Sequence, residues 1–130
     1  MVWLRALAFM TIAVPVLACA QTSGGAPARG KPLDTPPGIV DGRTAQELVK
    51  AGVVVVDVRT PQEFAGGHVP GAKNIPYDEI RARAGEIGGP DTPVLLYCKS
   101  GRRSAIAASA LKDLGYKKLW DMQSYDRWPQ

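Results

Sequence analysis

The chain has few of the residues that build disulfide scaffolds, zinc sites and nucleic-acid interfaces. Its 130 residues include two cysteines and one histidine. Two cysteines exclude a disulfide-dense mini-protein, and a chain with neither a Cys cluster nor a second histidine lacks the ligand pattern of a zinc site. No basic stripe with interleaved aromatic residues is present, so we expect no nucleic-acid partner. A repeat with a period of about 20–50 residues is also absent.

The overall composition is that of one ordinary globular domain. Hydrophobic residues make up 45 % of the chain and charged residues 22 %, and the net charge is +4. These values exclude a collagen-like, coiled-coil or wholly disordered chain. The 14 glycines and 11 prolines are many for this length. They predict many turns or an unstructured segment.

Residues 1–20 have the three parts of a secretory signal peptide. Arg5 gives a short positive start, residues 6–17 are an uncharged apolar run, and the small residues at 18–20 follow. The apolar run is shorter than the ~20 residues that a membrane span needs. Pro15 near its end also disfavours a continuous helix. We therefore expect the protein to be exported to the periplasm.

Two processing sites fit the end of this signal. The small residues at 18 and 20 predict cleavage before Gln21 and removal of residues 1–20. The sequence Val-Leu-Ala-Cys at 16–19 also resembles a bacterial lipoprotein box, which predicts a signal of residues 1–18 and lipidation of Cys19. In that alternative the protein would contact the membrane only through its lipid anchor.

Residues 21–37 are predicted to be a flexible linker. They are mostly glycine, proline, serine and threonine, and Leu33 is their one large aliphatic residue. Such a segment buries too little apolar surface to offset the entropy lost on ordering. The folded domain is then expected over residues 38–130, which is enough for one hydrophobic core.

Strand patterns occur at four places in this domain. The apolar runs at 53–58 and 94–97 are typical of strands buried on both faces in a parallel sheet. Shorter strands are expected at 72–75 and 119–120.

Helix patterns alternate with these strands. Capping-box sequences predict helices that start at Thr44 and Thr60. Further helices are expected over 78–87 and 104–114. In the last helix four residues are expected to share one apolar face: Ile106, Ala110, Leu111 and Leu114. The alternation predicts an α/β fold with a central, mainly parallel β-sheet flanked by helices.

Cys98 follows the second buried strand directly. Sites in parallel sheets form beyond the carboxyl ends of the strands, and the backbone N–H groups of a turn that leads into a helix can bind an anion. Three cations follow the thiol within five residues: Lys99, Arg102 and Arg103. Each of these features favours the nucleophilic thiolate. We interpret Cys98 as an activated nucleophile rather than a buried structural cysteine.

Two segments together resemble the signature of rhodanese-like domains. Residues 57–76, DVRTPQEFAGGHVPGAKNIP, follow the family pattern D-x-R-x-x-x-E-[FY]-x-x-G-H-[IV]-x-G-A-x-[NH]-[IV]-P. Residues 97–104, YCKSGRRS, resemble the active-site loop C-x-x-G-x-R. The segments have the order and spacing of the family, and the resemblance covers residues 38–128. It implies a rhodanese-like fold and a single-domain sulfurtransferase.

The resemblance also implies a reaction. Cys98 would take the outer sulfur of thiosulfate or another small anionic donor, become a persulfide, and pass the sulfur to a thiol or cyanide. No metal or organic cofactor is implied. The cations of the loop would hold the anionic donor, and the backbone amides would surround the transferred sulfur. The implied substrate-binding residues are Lys99, Ser100, Gly101, Arg102, Arg103 and Ser104.

The rest of the signature is interpreted as scaffold. Asp57 and Arg59 would fix a strand end and its loops, and His68 would be a turn residue with a satisfied hydrogen bond. The end of the chain departs from the family, which often carries Gly-Gly-Met-x-x-Trp, because residues 121–128, DMQSYDRW, lack both glycines. The form of the pocket rim is therefore open. Three aromatic residues are expected to serve core or rim packing: Trp120, Tyr125 and Trp128.

Two other functions are considered. Phosphatases and arsenate reductases on the same fold carry a loop that is one residue longer, C-x-x-x-x-x-R, and the position of its arginine is Ser104 here. A shorter loop suits a sulfur atom better than a phosphate group. A non-catalytic sulfur carrier or binding module is the other alternative, because an intact cysteine and a cationic loop fit a carrier as well as an enzyme.

Overall fold

The computed structural model describes residues 32–130. The expected signal peptide at 1–20, the lipidation candidate Cys19 and residues 21–31 of the expected linker lie outside the described residues. Within residues 32–130, no helix is long and apolar enough to cross a membrane.

One parallel sheet of five strands forms the centre of the described domain, in the order β1-β5-β4-β2-β3. The expected mainly parallel sheet is confirmed. The edge strand β1 was not predicted, because its two residues are defined as a strand by their pairing with β5 rather than by an apolar run. The strands are β1 (Gly38–Ile39), β2 (Val54–Asp57), β3 (Lys73–Asn74), β4 (Val94–Cys98) and β5 (Leu119–Ser124).

Four α-helices flank this sheet: α1 (Gly42–Lys50), α2 (Pro61–Ala65), α3 (Ile80–Arg83) and α4 (Arg102–Asp113). The helix expected over 78–87 is split, since α3 gives way to a 3-10 turn at Ala84–Glu86. Further 3-10 turns lie at Pro32–Asp34 and Tyr125–Arg127.

The start of α2 confirms the capping box at Thr60, because Thr60 Oγ1 accepts from Glu63 N and Glu63 Oε2 accepts from Thr60 N. The start expected for α1 is wrong. That helix begins two residues earlier, where Asp41 Oδ1 accepts from Thr44 N at 2.8 Å. Its first residue is Gly42, where a Cβ would collide with the carbonyl of Arg127.

Two apolar layers cover the faces of the sheet. On one face α3 and α4 bury Val56, Leu96 and Leu111. On the other face α1 buries Leu48 against Leu95. Each fully buried aliphatic side chain contributes about 1.5–3 kcal/mol of transfer free energy. The strands β2 and β4 are thus covered on both sides, as their apolar runs predict.

The buried face of α4 differs from the expected one. Ile106 and Leu114 are 45 % and 40 % exposed. The face that packs on the sheet consists mainly of small residues: Ser104, Ala107, Ala110 and Leu111. Small side chains let the helix lie close to the sheet beside Cys98.

Residues 32–37 of the expected linker lie within the described part of the chain. Trp120 Nε1 donates to the carbonyl oxygens of Thr35 and Pro36, at 3.1 Å each. Trp120 itself is buried in the layer under α1. These two hydrogen bonds attach the end of this segment to β5.

Candidate active site

Cys98 is the last residue of β4, at the carboxyl edge of the sheet. Its neighbours in the sheet are β2 and β5, and residues 99–101 connect it to the first turn of α4. The loop therefore lies where parallel sheets form their sites. The thiol is fully buried, under the loop that follows it.

Two groups of the loop contact the sulfur. The backbone N–H of Gly101 donates to Cys98 Sγ at 2.9 Å, and Ser104 Oγ lies 3.6 Å from the same atom. Gly101 has a φ of +94°, a left-handed conformation that favours glycine and turns its N–H back onto the sulfur. Ser104 Oγ donates to the carbonyl of Gly101 at 3.1 Å and so closes the loop on itself.

These groups set the ionisation of the thiol. Burial raises the pKa of Cys98, but hydrogen bonds from the amide and hydroxyl of Ser104 and from the amides of Gly101 and Ser100 outweigh it. The pKa of Cys98 lies below its ordinary value as a result. A buried structural cysteine in apolar surroundings would show the opposite shift. The loop therefore favours the nucleophilic form.

The three cations of the loop have different surroundings. Lys99 and Arg102 are exposed. Arg103 forms two hydrogen bonds with Glu63, Nη1 to Oε2 at 2.7 Å and Nη2 to Oε1 at 2.9 Å. Its charge is already paired, so Lys99 and Arg102 are better placed than Arg103 to hold an anionic substrate.

The ion pair with Arg103 changes the pKa of Glu63. The hydrogen bond from Arg103 lowers the pKa of Glu63 to about 2 from its ordinary 4.5, against the raising effect of burial. Hydrogen bonds from Thr60 at the start of α2 lower it further. The pair thus ties the start of α2 to the first turn of α4, next to Cys98.

A buried ionic network lies on the other face of the sheet. The Asp57 carboxylate accepts from Arg59 Nη2 at 2.6 Å and from Tyr97 Oη at 2.8 Å. Arg59 also donates to the carbonyl of Gly67 at 2.7 Å. Tyr97 Oη in turn accepts from Val69 N at 3.0 Å. These contacts join the ends of β2 and β4 to the loop after α2, which is the role of a scaffold.

A cavity of about 270 Å³ opens at the same edge of the sheet. Lys99 lies on its wall, together with Glu63, Tyr125 and Asp126. Tyr125 also stacks on Tyr97, with ring centroids 5.8 Å apart. The cavity is large enough for a small anion or a small thiol beside the loop.

His68 has a local partner and is not directed at Cys98. Its Nδ1 lies 2.9 Å from the carbonyl of Phe64, and its ring stacks on the Phe64 ring at 3.8 Å. Within residues 32–130, no group of His, Cys, Asp and Glu side chains could hold a metal ion.

Two residues of the site were not foreseen in the sequence. Asp121 is buried on β5, and its Oδ1 accepts from Gln123 N at 2.7 Å. Burial raises the pKa of Asp121, and the nearby Ser104 hydroxyl and the amide of Gln123 partly offset that effect. Gln123 has a φ of +70° and packs against Gly101. The sequence feature that pointed to this region is the absence from residues 121–128 of the two glycines that the family often carries there.

Comparisons with known proteins match this arrangement. Residues 41–128 match the Rhodanese-like domain family. A sulfurtransferase of Allochromatium vinosum is 39 % identical over 71 residues, which are 55 % of this chain and 65 % of that protein. The thiosulfate sulfurtransferase PspE of Escherichia coli is 39 % identical over 62 residues, 47 % of this chain and 60 % of its own length. The chain thus spans less than two thirds of these curated relatives.

A solved structure agrees with the fold. The structure described as a rhodanese with anions from E. coli superimposes with a TM-score of 0.56 at 31 % identity, and the match covers 60 % of this chain and 95 % of that one. The family match spans the four strands β2 to β5, together with the Cys98 loop. The chain therefore belongs to the family of rhodanese-like domains.

Proposed function

We propose that the protein is a sulfurtransferase that moves sulfane sulfur from thiosulfate, or a similar anionic donor, to a thiol or cyanide. The observation that carries this proposal is the contact of Cys98 Sγ with the N–H of Gly101 at 2.9 Å, within a loop that lowers the pKa of the thiol. Related proteins described as sulfurtransferases support the same reaction class.

The first step is attack by the Cys98 thiolate on the outer sulfur of thiosulfate. A bond forms between Cys98 Sγ and that sulfur, the S–S bond of thiosulfate breaks, and its electron pair leaves with sulfite. In the second step a thiolate or cyanide attacks the outer sulfur of the Cys98 persulfide. The bond to Sγ breaks, and Cys98 returns as the thiolate.

The loop assists both steps. Negative charge rests on sulfur in the thiolate and in the persulfide, and on the oxygens of the departing sulfite. The N–H of Gly101 donates to Sγ of Cys98, and the amides of Ser100 and Ser104, which also lower the pKa of the thiol, can assist it in stabilising charge on sulfur. Lys99 and Arg102 lie exposed beside the loop and would attract the anionic donor and the departing sulfite.

Steady-state turnover tests the proposal. Purified protein with thiosulfate and cyanide should release thiocyanate, and Cys98→Ser should abolish the reaction. A protein that takes sulfur from thiosulfate but passes it to no acceptor would be a sulfur carrier and not an enzyme. Hydrolysis of a phosphoaryl ester that is lost in Cys98→Ala would replace sulfur transfer by phosphatase chemistry.

We also propose that the protein is exported to the periplasm, free or lipid-anchored, on the strength of residues 1–20 alone. The mass of the mature protein from the producing cells tests this. A chain that starts at Gln21 indicates a free periplasmic protein, and an acylated Cys19 indicates an anchor. A mature protein that retains residues 1–20 would contradict export by either route.

A further inference from the structure

Gln123 has an uncommon backbone conformation beside the Cys98 loop. Its φ is +70°, and it is the one residue other than glycine with a positive φ in residues 32–130. It lies at a bulge of β5, where Leu96 of β4 is paired with Asp121 and Tyr97 with Gln123. Met122 is the extra residue of that bulge. A side chain in this conformation carries a strain that glycine would avoid.

Asp121 holds this conformation in place. Its buried carboxylate accepts the N–H of Gln123 at 2.7 Å, across the bulge. Asp121 is itself held in the sheet, where it is paired with Leu96 of β4. The strained residue is therefore fixed to the body of the domain rather than placed in a loose loop.

The side chain of Gln123 covers Gly101. A Cβ built on Gly101 would lie 3.0 Å from Cβ, 3.4 Å from Cγ and 3.6 Å from Cδ of Gln123. The whole stem of the glutamine thus runs along the backbone of the residue whose N–H donates to Cys98 Sγ. Gly101 is buried, although its neighbours Ser100 and Arg102 are exposed.

We propose that Gln123 is a positioning residue that presses Gly101 into the conformation in which its N–H donates to the Cys98 thiolate. The inference rests on the proposed role of Cys98 and extends it to a residue outside the loop. Glycine has the freest backbone of all residues, so Gly101 needs such a contact to keep one orientation. The bulge of β5 provides this contact, and the backbone of Gln123 is strained as a result.

If this contact is lost, we expect a smaller fraction of Cys98 to be ionised at a given pH. Without the stem of Gln123, Gly101 would sample conformations that turn its N–H away from the sulfur, and the pKa of Cys98 would rise. The charged groups nearest the thiol in the chain are Lys99, Arg102 and Arg103, and Arg103 is paired with Glu63 of α2. Arg59, which follows β2, acts on Arg103, and Asp121 of β5 has Arg127 nearby. Gln123→Gly and Gln123→Asn change none of these charged groups.

The test is the pH profile of Cys98 alkylation by iodoacetamide, read as intact mass, together with the melting temperature. Gln123→Gly should move the profile to higher pH and slow alkylation at about pH 6 by about three- to tenfold. This effect is smaller than the one expected for complete loss of a hydrogen bond to a charged group. Its melting temperature should not fall, because glycine relieves the strain. Gln123→Asn keeps Cβ and Cγ and tolerates a positive φ, so it should alkylate within about twofold of the wild type.

Two results would overturn the inference. One is a wild-type alkylation profile in Gln123→Gly, which would show that the conformation of Gln123 has no effect on Cys98. The other is an equal loss in Gln123→Asn, which retains the contact with Gly101. Alkylation measures the reactivity of the Cys98 thiol directly and requires no sulfur donor. Failure of the proposed function would show separately, as a wild-type protein that takes no sulfur from thiosulfate.

Discussion

Arg103 and Glu63 form a bidentate ion pair that joins the first turn of α4 to the start of α2, with N–O distances of 2.7 and 2.9 Å. Arg103 is one of three cations that the sequence places near the thiol. In the folded domain it holds α2 and α4 together, so we expect Lys99 and Arg102, rather than Arg103, to bind the anionic donor.

The ion pair should stabilise the domain only above acidic pH. The pKa of Glu63 falls from an ordinary 4.5 to about 2 on folding, chiefly through Arg103. Its stabilisation is therefore complete above about pH 4.5 and is lost as the pH falls towards 2. The side chains remain 23 % and 29 % exposed, and solvent screening limits the effect. Glu63→Gln should lower the free energy of unfolding at pH 7 by about 1–2 kcal/mol, measured in urea.

Glu86→Gln is the matched control for this change, because Glu86 forms an ion pair with Arg83 but is 53 % exposed. We expect a smaller effect there. A loss of stability in Glu63→Gln that stayed constant down to pH 2 would contradict the assigned cause.

Lys99 and Arg102 should control the affinity for the donor. Lys99→Ala and Arg102→Ala are each expected to raise the KM for thiosulfate several-fold with little change in kcat, and added salt should reduce the difference. Lys118→Ala removes the same charge at the start of β5, at the opposite edge of the sheet, and should leave KM unchanged. Equal effects at Lys118 and Lys99 would show that only the net charge matters.

Ser104 should be needed for the low pKa of Cys98. Its hydroxyl lies 3.6 Å from the sulfur and lowers the pKa of the thiol. Ser104→Ala should therefore move the pH profile of alkylation upward and slow alkylation at neutral pH by about three- to tenfold. Ser109→Ala, on the exposed side of the same helix, is the control and should behave as the wild type. An unshifted profile in Ser104→Ala would assign the low pKa to the amides alone.

Asp57 should matter for stability and not for chemistry. Asp57→Asn leaves Arg59 buried without its counter-charge, and we expect it to lower the free energy of unfolding by about 3–5 kcal/mol. The alkylation rate of Cys98 per folded molecule should change by less than about twofold, because Sγ of Cys98 contacts Gly101 and Ser104 and not the network, although Arg59 lines the cavity beside Lys99. A large loss of thiol reactivity in a protein that remains folded would place Asp57 in the catalytic machinery.

The sequence predicted the features that local patterns determine. The buried runs that became β2 and β4 located the parallel sheet, the Thr60 capping box located α2, and the position of Cys98 after a strand located the candidate site. The pairing of Arg103 with Glu63 joins residues 40 positions apart, so no local pattern reveals it. The strand β1 has two residues and is defined by its pairing with β5.

The carboxyl end of the chain was the hardest part to predict. The absence of the family's glycines at 121–128 was visible in the sequence, but its consequence was not. A bulge moves Gln123 onto Gly101, and the buried Asp121 carboxylate fixes it there. Both contacts depend on the register of β5 against β4, which the sequence does not determine.

The most direct test of the account is the intact mass of the purified protein before and after thiosulfate, without an acceptor. We expect wild-type protein to gain the mass of one sulfur atom, to lose it again when cyanide is added, and to show neither change in Cys98→Ser. Gln46→Ala, remote from the loop on α1, should gain the sulfur as the wild type does. A wild-type protein that gains no sulfur from thiosulfate, or that gains it equally in Cys98→Ser, would contradict the persulfide at Cys98.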